Sequence, residues 1–337
     1  MAADAQYDMP EKSGLVTNKE NAMTHHTLRL FPWFAYEGRE SLEQLKQHSD
    51  ALDGISIFGE KDPSREFLAF CRKRGIATLK LVAGDASKLG DASHFDTPAR
   101  ARATVRRLLR MCAKIGYGGI DLDYEHIPHE LNGRYAAFMR ELSAGLRDAG
   151  RRMSICVHGL TRGEHGRPAS FDFYDPETIA ATCDEVRPMC YDYFFAYDGI
   201  TGPTTAWLWA REVMEFWLQY IPREKMFMAL PAYGNDFPSL PDSGKGKQVD
   251  YEHPSAVGAK KIEHAWLHRE RLNFYRYLDA EDKPRVLFAT DGDSTRELLK
   301  IVDEFRIPAI SFWYYQTMRQ GIWKALADSG RVRARPG

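Results

Sequence analysis

The chain predicts an α/β fold, a (β/α)8 TIM barrel forming one domain with an extended loop region after its seventh strand. Three observations carry this expectation. Short apolar runs recur eight times along the 337 residues, and stretches with helical spacing separate them. No glycine fingerprint of a doubly wound dinucleotide fold is present, and eight such units close into a barrel more readily than they fit an open sheet. The length suits one large core, which at this size removes roughly 75% of the unfolded surface from water.

The elements follow in order. LRLFPWFA (28–35) reads as the first strand and ESLEQLKQH as its helix, LDGISIFG (52–59) as the second with SREFLAFCRKRG, and IATLKLVA (76–83) as the third with TPARARATVRRLLRMCAKIG. GGIDLDYE (118–125) is the fourth with GRYAAFMRELSAGLRDAG, RMSICVHG (152–159) the fifth with DPETIAATCDEV, and RPMCYDYF (187–194) the sixth with TAWLWAREVMEFWLQ. KMFMALPAYG (225–234) is the seventh and PAISFWYY (308–315) the eighth, with DSTRELLKIVDEF between them. Strands of βαβ units are buried on both faces and so lose clean alternation. Several helices open on Asp, Ser or Thr and close on Gly, as capped helices do. Between Tyr233 and Pro284 the Pro- and Gly-containing sequence reads as loop plus a polar helix, standing at the face where loop variation sets specificity. The expected organisation is a leader over residues 1–26, the barrel over 27–325 and a basic tail over 326–337.

Composition excludes several classes. Lys and Arg total 46 against 47 Asp and Glu, a formal charge of −1 with pI near 6.8, which gives no long-range field for nucleic acid or an anionic membrane. The basic stretch RARATVRRLLRMCAKIG carries Leu108, Leu109, Cys112 and Ile115 on one side and reads as an outer barrel helix. Cys71, Cys112, Cys156, Cys183 and Cys190 are dispersed, without a CxxC pair, and read as buried reduced thiols. No signal-like apolar core opens the sequence and no apolar run is long enough to span a bilayer, so the expected compartment is cytoplasmic, or secreted or periplasmic if a signal peptide has been removed.

The chemistry concentrates in YGGIDLDYEHIP. Side chains alternate along a strand, so Asp121, Asp123 and Glu125 share one side and Ile120, Leu122 and Tyr124 the other. In a barrel the acids point inward. Burying such groups is costly, and neighbouring like charges push at least one carboxyl towards its protonated form. A strand needing only stability would carry Val or Ile there. His126, His129 and Glu130 lie nearby, but their spacing is not that of a metal-binding helix, and neither metal nor cofactor is expected.

This stretch resembles the signature of glycoside hydrolase family 18, the chitinase and endo-N-acetylglucosaminidase family, with a likeness running from about Leu28 to Trp323. Relatives begin the signature with Asp where this chain has Gly118, and commonly carry Trp where it has Tyr124. Segments such as ISIFGEKDPSREFLAFCRKRGIATLKLVAGD and LPAYGNDF look most like the di-N-acetylchitobiase branch, which implies a short pocket and small oligosaccharides. The resemblance implies a retaining, substrate-assisted mechanism on β-linked N-acetylhexosaminides. Glu125 would be the acid and base, Asp123 would orient and stabilise the acetamido group, and Asp121 would tune Asp123. Tyr191 would donate to the acetamido oxygen, Asp192 position the ring, and Trp313 form the floor beneath the sugar. Tyr233 and Asn235, with Tyr36 and Phe58 near the mouth, are further carbohydrate contacts on this reading. The expected partner is an N-acetylated oligosaccharide or glycan. A noncatalytic carbohydrate-binding protein is the alternative, and Glu125 is the residue such a protein has least reason to keep.

Overall fold

A computed structural model describes residues 27–85, 94–161, 174–239 and 244–332. The first predicted strand is two short ones, β1 (Arg29–Leu30) and β2 (Trp33–Ala35). Pro32 lies between them; it has no N–H to give a ladder, while its carbonyl accepts from Ser56 N at 3.1 Å. Then come α1 (Glu40–Lys46), β3 (Gly54–Phe58), α2 (Arg65–Arg74), β4 (Ala77–Asp85), α3 (Pro98–Met111), β5 (Gly119–Glu125), α4 (Asn132–Asp148), β6 (Arg152–Val157), α5 (Pro176–Thr182) and β7 (Glu185–Pro188). α6 (Trp207–Trp217) and β8 (Phe227–Pro231) follow. After an insertion, the chain ends its regular structure with α7 (Gly292–Glu304), β14 (Ala309–Trp313) and α8 (Gln320–Asp328).

The parallel ladders form a six-stranded sheet, β2-β3-β4-β5-β6-β7, and a three-stranded sheet, β1-β14-β8, where an unbroken eight-strand ladder was expected. The sheets meet at two seams. At one, β1 and β2 belong to different sheets across Pro32. At the other, isolated parallel bridges join Val186 to Met226 and Met189 to Ala229.

Local chemistry places the helices. Ser64 Oγ accepts from Phe67 N at 3.1 Å to start α2, and Gly75 ends it at φ 66°. Asp175 caps α5 ahead of Pro176, and Asp291 forms a capping box with Ser294 at α7. On α3, Ala101, Thr104, Val105 and Leu108 are buried while the arginines face out, the outer-helix packing expected of that basic stretch. All five cysteines are free and buried. The boundary expected at residue 326 falls inside α8: Leu326 and Arg331 are buried and Val332 bridges Leu28, so the chain packs on the barrel through 332. The expected leader over 1–26 lies outside the described residues. Among the described residues, no helix is long and apolar enough to cross a membrane.

The insertion corrects the loop-and-helix expectation. It is a five-stranded antiparallel sheet of β9 (Gly234–Pro238), β10 (Lys247–Val249), β11 (Lys260–Leu267), β12 (Leu272–Leu278) and β13 (Pro284–Ala289), in the order β10-β9-β13-β12-β11. The stretch read as a polar helix is the β11–β12 hairpin. In β12 Asn273, Tyr275 and Tyr277 are buried while Arg276 is exposed, a period-two pattern rich in aromatics that favours strand.

Candidate active site

β5 builds the site. Its parallel register sets Leu81 beside Asp121 and Ala83 beside Asp123 on β4, and Ser154 beside Asp121 on β6. Gly119 makes that pairing possible, because a Cβ there would stand 2.1 Å from Arg152 O. Ile120, Leu122 and Tyr124 join the core beneath the helices, with Tyr124 packed edge-on against Phe95 and Tyr135. The acids therefore point inward, as alternation requires, and open gradually to solvent. Asp121 is fully buried, Asp123 half-buried, and the Glu125 side chain 39% exposed.

Each acid has a different environment. Asp121 Oδ2 accepts from Ser56 Oγ at 2.6 Å and Trp33 Nε1 at 2.9 Å, and lies 3.6 Å from Arg187 Nη1. Asp123 Oδ1 is buried with no hydrogen-bond partner among the described residues. Its carboxyl is pushed up to about 8, first by burial and then by the charges of Glu125 and Asp121, against a smaller opposing hydrogen bond from Cys156. Glu125 Oε2 lies 4.0 Å from His126 Nε2. Gly118 precedes the strand, exposed, roughly 10 Å along the chain from Asp121 at ~3.3 Å per residue, and does not join the acids. The charge beneath Asp121 is Arg187.

Glu125 and Asp123 line a cavity of about 350 Å³ with His158, Gly159, Met189, Tyr191, Asp192, Phe195, Trp209, Gln248 and Trp313. Tyr191 and Asp192 lie beyond the end of β7 at Pro188 rather than inside a strand. Asp192 takes a left-handed backbone, φ 58°, and its Oδ1 accepts from Tyr233 Oη at 2.6 Å and Gln248 Nε2 at 3.1 Å. Tyr191 packs edge-on between Trp33 and Tyr233. Trp313 ends β14; Phe58 stacks on its indole with centroids 5.0 Å apart, so Phe58 backs the wall rather than lining this cavity.

Three expected sugar contacts lie elsewhere. Asn235 is fully buried, its Nδ2 donating to Phe194 O at 2.7 Å and Gly202 O at 3.1 Å, so it ties the insertion to the loop after β7. Tyr36 is buried against Phe67 and its hydroxyl accepts from Ser64 N at 2.9 Å, anchoring the start of α2. Tyr233 lines a neighbouring cavity of about 360 Å³ together with Tyr197, Tyr251 and Tyr314; this cavity shares Gln248 and Trp313 with the central one. A third cavity, of about 290 Å³ and lined by Tyr193 and Leu208, shares Trp209 with the central one. Gly159 allows that indole in, since a Cβ would stand 2.7 Å from it.

Sequence reasoning missed Arg187, His158, Trp209 and Gln248. A charge inside the apolar run EVRPMC is the one signal that marks Arg187. Burial, and secondarily His126, lowers His158 to about 4, so its imidazole is neutral near neutrality. Among the described residues no group of three or more His, Cys, Asp or Glu converges as a metal site.

Known proteins share this arrangement of chain. The fold matches a chitinase from Chromobacterium violaceum ATCC 12472 with a TM-score of 0.78 at 16% identity, over 91% of this chain and 100% of that one. It matches the Bacillus megaterium QM B1551 spore cortex-lytic enzyme SleL with a TM-score of 0.77 at 15% identity, over 94% of this chain and 77% of that one. In sequence the chain is 21% identical over 275 residues to the uncharacterized glycosylase YvbX of Bacillus subtilis strain 168, covering 79% of this chain and 78% of that protein. It is 23% identical over 239 residues to the cortical fragment-lytic enzyme of the same organism, covering 68% of this chain and about half, 54%, of that protein. Residues 20–314 match the family described as glycosyl hydrolases family 18, and with the inward acids at the head of the cavity the chain belongs to that family and is a glycoside hydrolase.

Proposed function

We propose that this hydrolase cleaves β-linked N-acetylhexosaminides in GlcNAc-containing glycans with retention of configuration, the substrate's own acetamido group serving as nucleophile. The observation that carries the reading is the ladder of Asp121, Asp123 and Glu125, which rises from full burial to the cavity and holds its middle member protonated near neutral pH. Asp123 passes its proton to Glu125, which delivers it to the glycosidic oxygen as the acetamido carbonyl attacks C1. The C1–O bond breaks, an oxazolinium ion forms, and the now ionised Asp123 faces the positive charge. Glu125 then takes a proton from water as that water attacks C1 and reopens the ring. The proton returns to Asp123 and the cycle closes. Tyr191, Asp192, Gln248 and Trp313 line the same cavity; on this reading the Tyr191 hydroxyl donates to the acetamido oxygen, Asp192 and Gln248 form the polar side, and Trp313 gives the sugar an apolar face.

The substrate is a chain rather than a disaccharide on this reading, in place of the short pocket that the chitobiase-like segments imply. Two further cavities with aromatic lining adjoin the central one, and β10 contributes Gln248 and Val249 to one of them. Similarity to a chitinase and to a spore cortex-lytic enzyme supports a GlcNAc-containing polysaccharide. The test is a panel of reducing-end-labelled chitooligosaccharides, muropeptides and N-glycans incubated with wild type and Glu125→Gln. Cleavage by wild type alone supports the reading; binding of the panel without turnover by wild type overturns it.

A further inference from the structure

Below the acids lies a charge arrangement that the hydrolytic steps do not use. Arg187 on β7 is fully buried, and its guanidinium sits among the rings of Phe31, Phe227 and Trp33, with Cζ 4.5, 5.1 and 5.4 Å from their centroids. Nη2 donates to Glu185 Oε2 at 2.9 Å, and Nη1 lies 3.6 Å from Asp121 Oδ2. Glu185, itself buried, is met from below by the partly exposed Arg29 at 3.7 Å and Arg152 at 3.3 Å. Positive and negative groups thus alternate from the barrel floor upwards: Arg29 and Arg152, Glu185, Arg187, then Asp121.

The donors around Asp121 decide its protonation. Ser56 Oγ and Trp33 Nε1 donate to Oδ2, Arg187 forms an ion pair with it at 3.6 Å while its Nη1 donates to Phe31 O at 3.4 Å, and Cys156 Sγ stands 3.9 Å from Oδ1. An ionised carboxylate accepts both hydrogen bonds and faces the cation, whereas a protonated one would lose the ion pair. Arginine keeps its charge even when buried, and a fixed cation beside a carboxyl favours its ionised form. The other ionisable groups facing the pair are Asp123 and Glu125 above it and Cys156 beside it.

We propose that Arg187 is a positioning residue whose fixed charge keeps Asp121 ionised, so that the proton of the acid ladder rests on Asp123, next to the substrate. Asp123 is the site for that proton because its Oδ1 has no partner among the described residues and Glu125 stands above it. The inference rests on the proposed hydrolysis for its catalytic meaning, while the location of the proton can be read without turnover.

Infrared difference spectroscopy provides that reading at about pH 6, between an ordinary aspartate and the raised Asp123. The carbonyl stretch of a protonated carboxyl is expected in wild type and in Arg187→Lys, and is lost in Asp123→Asn. In the double variant Arg187→Gln with Asp123→Asn a protonated carboxyl returns, now on Asp121. In kinetics Arg187→Gln moves the acid limb of the rate profile to higher pH by about one unit or more, because removing a positive charge makes the acids bind protons more readily. Its kcat falls on the order of tenfold with KM changed less than about threefold, and Arg187→Lys restores both. A wild-type spectrum unchanged by Asp123→Asn overturns the proposal even if Arg187→Gln does not fold. So does a double variant with no protonated carboxyl combined with an unmoved acid limb in Arg187→Gln. Absence of hydrolysis on every glycan would overturn the functional reading and leave the spectroscopic test standing.

Discussion

At the residue scale, a carboxyl held near 8 inside the folded chain links catalysis to stability. Between the ordinary aspartate value of 3.8 and about 8, the folded state keeps a proton on Asp123 that the unfolded chain releases. The folded state then binds more protons, so this residue makes stability fall as pH rises through that window. Asp123→Asn removes the dependence. Its melting temperature is expected to exceed that of wild type at pH above about 8 and to approach it near pH 4, and equal differences at both pH values would contradict the raised value. Glu125→Gln keeps shape and removes the carboxyl proposed as proton donor. It is expected to lower kcat by about 10²- to 10⁴-fold, with glycan binding by calorimetry retained. These acids were legible in the sequence because a strand has period two and nothing but chemistry justifies three inward carboxylates. Arg187 was not, because its meaning depends on Asp121 and Glu185 lying beside it in space.

At the element scale, the eight strand positions could be read because strands covered on both faces are continuous apolar runs. Their ends were less legible. RPMCYDYF reads as one strand, yet the continuous strand ends at Pro188, a single bridge from Met189 to Ala229 follows, and the left-handed Asp192 turns the chain into the cavity wall. The insertion hid its strands because much of β11, including Lys260, Lys261, Glu263 and His264, faces solvent and imitates a polar helix. Tight packing of glycine makes a prediction here. Gly119→Ala puts a methyl group against the Arg152 carbonyl between β5 and β6. The expected cost is about 1–3 kcal/mol, read as a lower denaturation midpoint; an unchanged midpoint would show that the strands part freely.

At the scale of the whole molecule, the parallel sheets hold the acids, while the loop after β7, α6 and the antiparallel insertion supply the walls that decide what reaches them. Trp209 and Tyr197 each line one of the two adjoining cavities. Tyr197→Ala is expected to lower kcat/KM about fivefold on hexasaccharides while leaving a disaccharide glycoside within about twofold, since the ring contributes ~1 kcal/mol of contact to a distant sugar, whereas Trp209→Ala, which also opens the central cavity, lowers it on both. An equal loss on both substrates with Tyr197→Ala would place that ring in folding rather than in chain recognition. The family and the inward acids together make one central claim: the acetamido group is the nucleophile and Glu125 its acid. Proton magnetic resonance of the first product formed from a chitooligosaccharide tests it most directly. A β-anomer appearing first with wild type, and product formed at least about 10²-fold more slowly with Glu125→Gln, is the predicted result; an α-anomer appearing first would contradict the account.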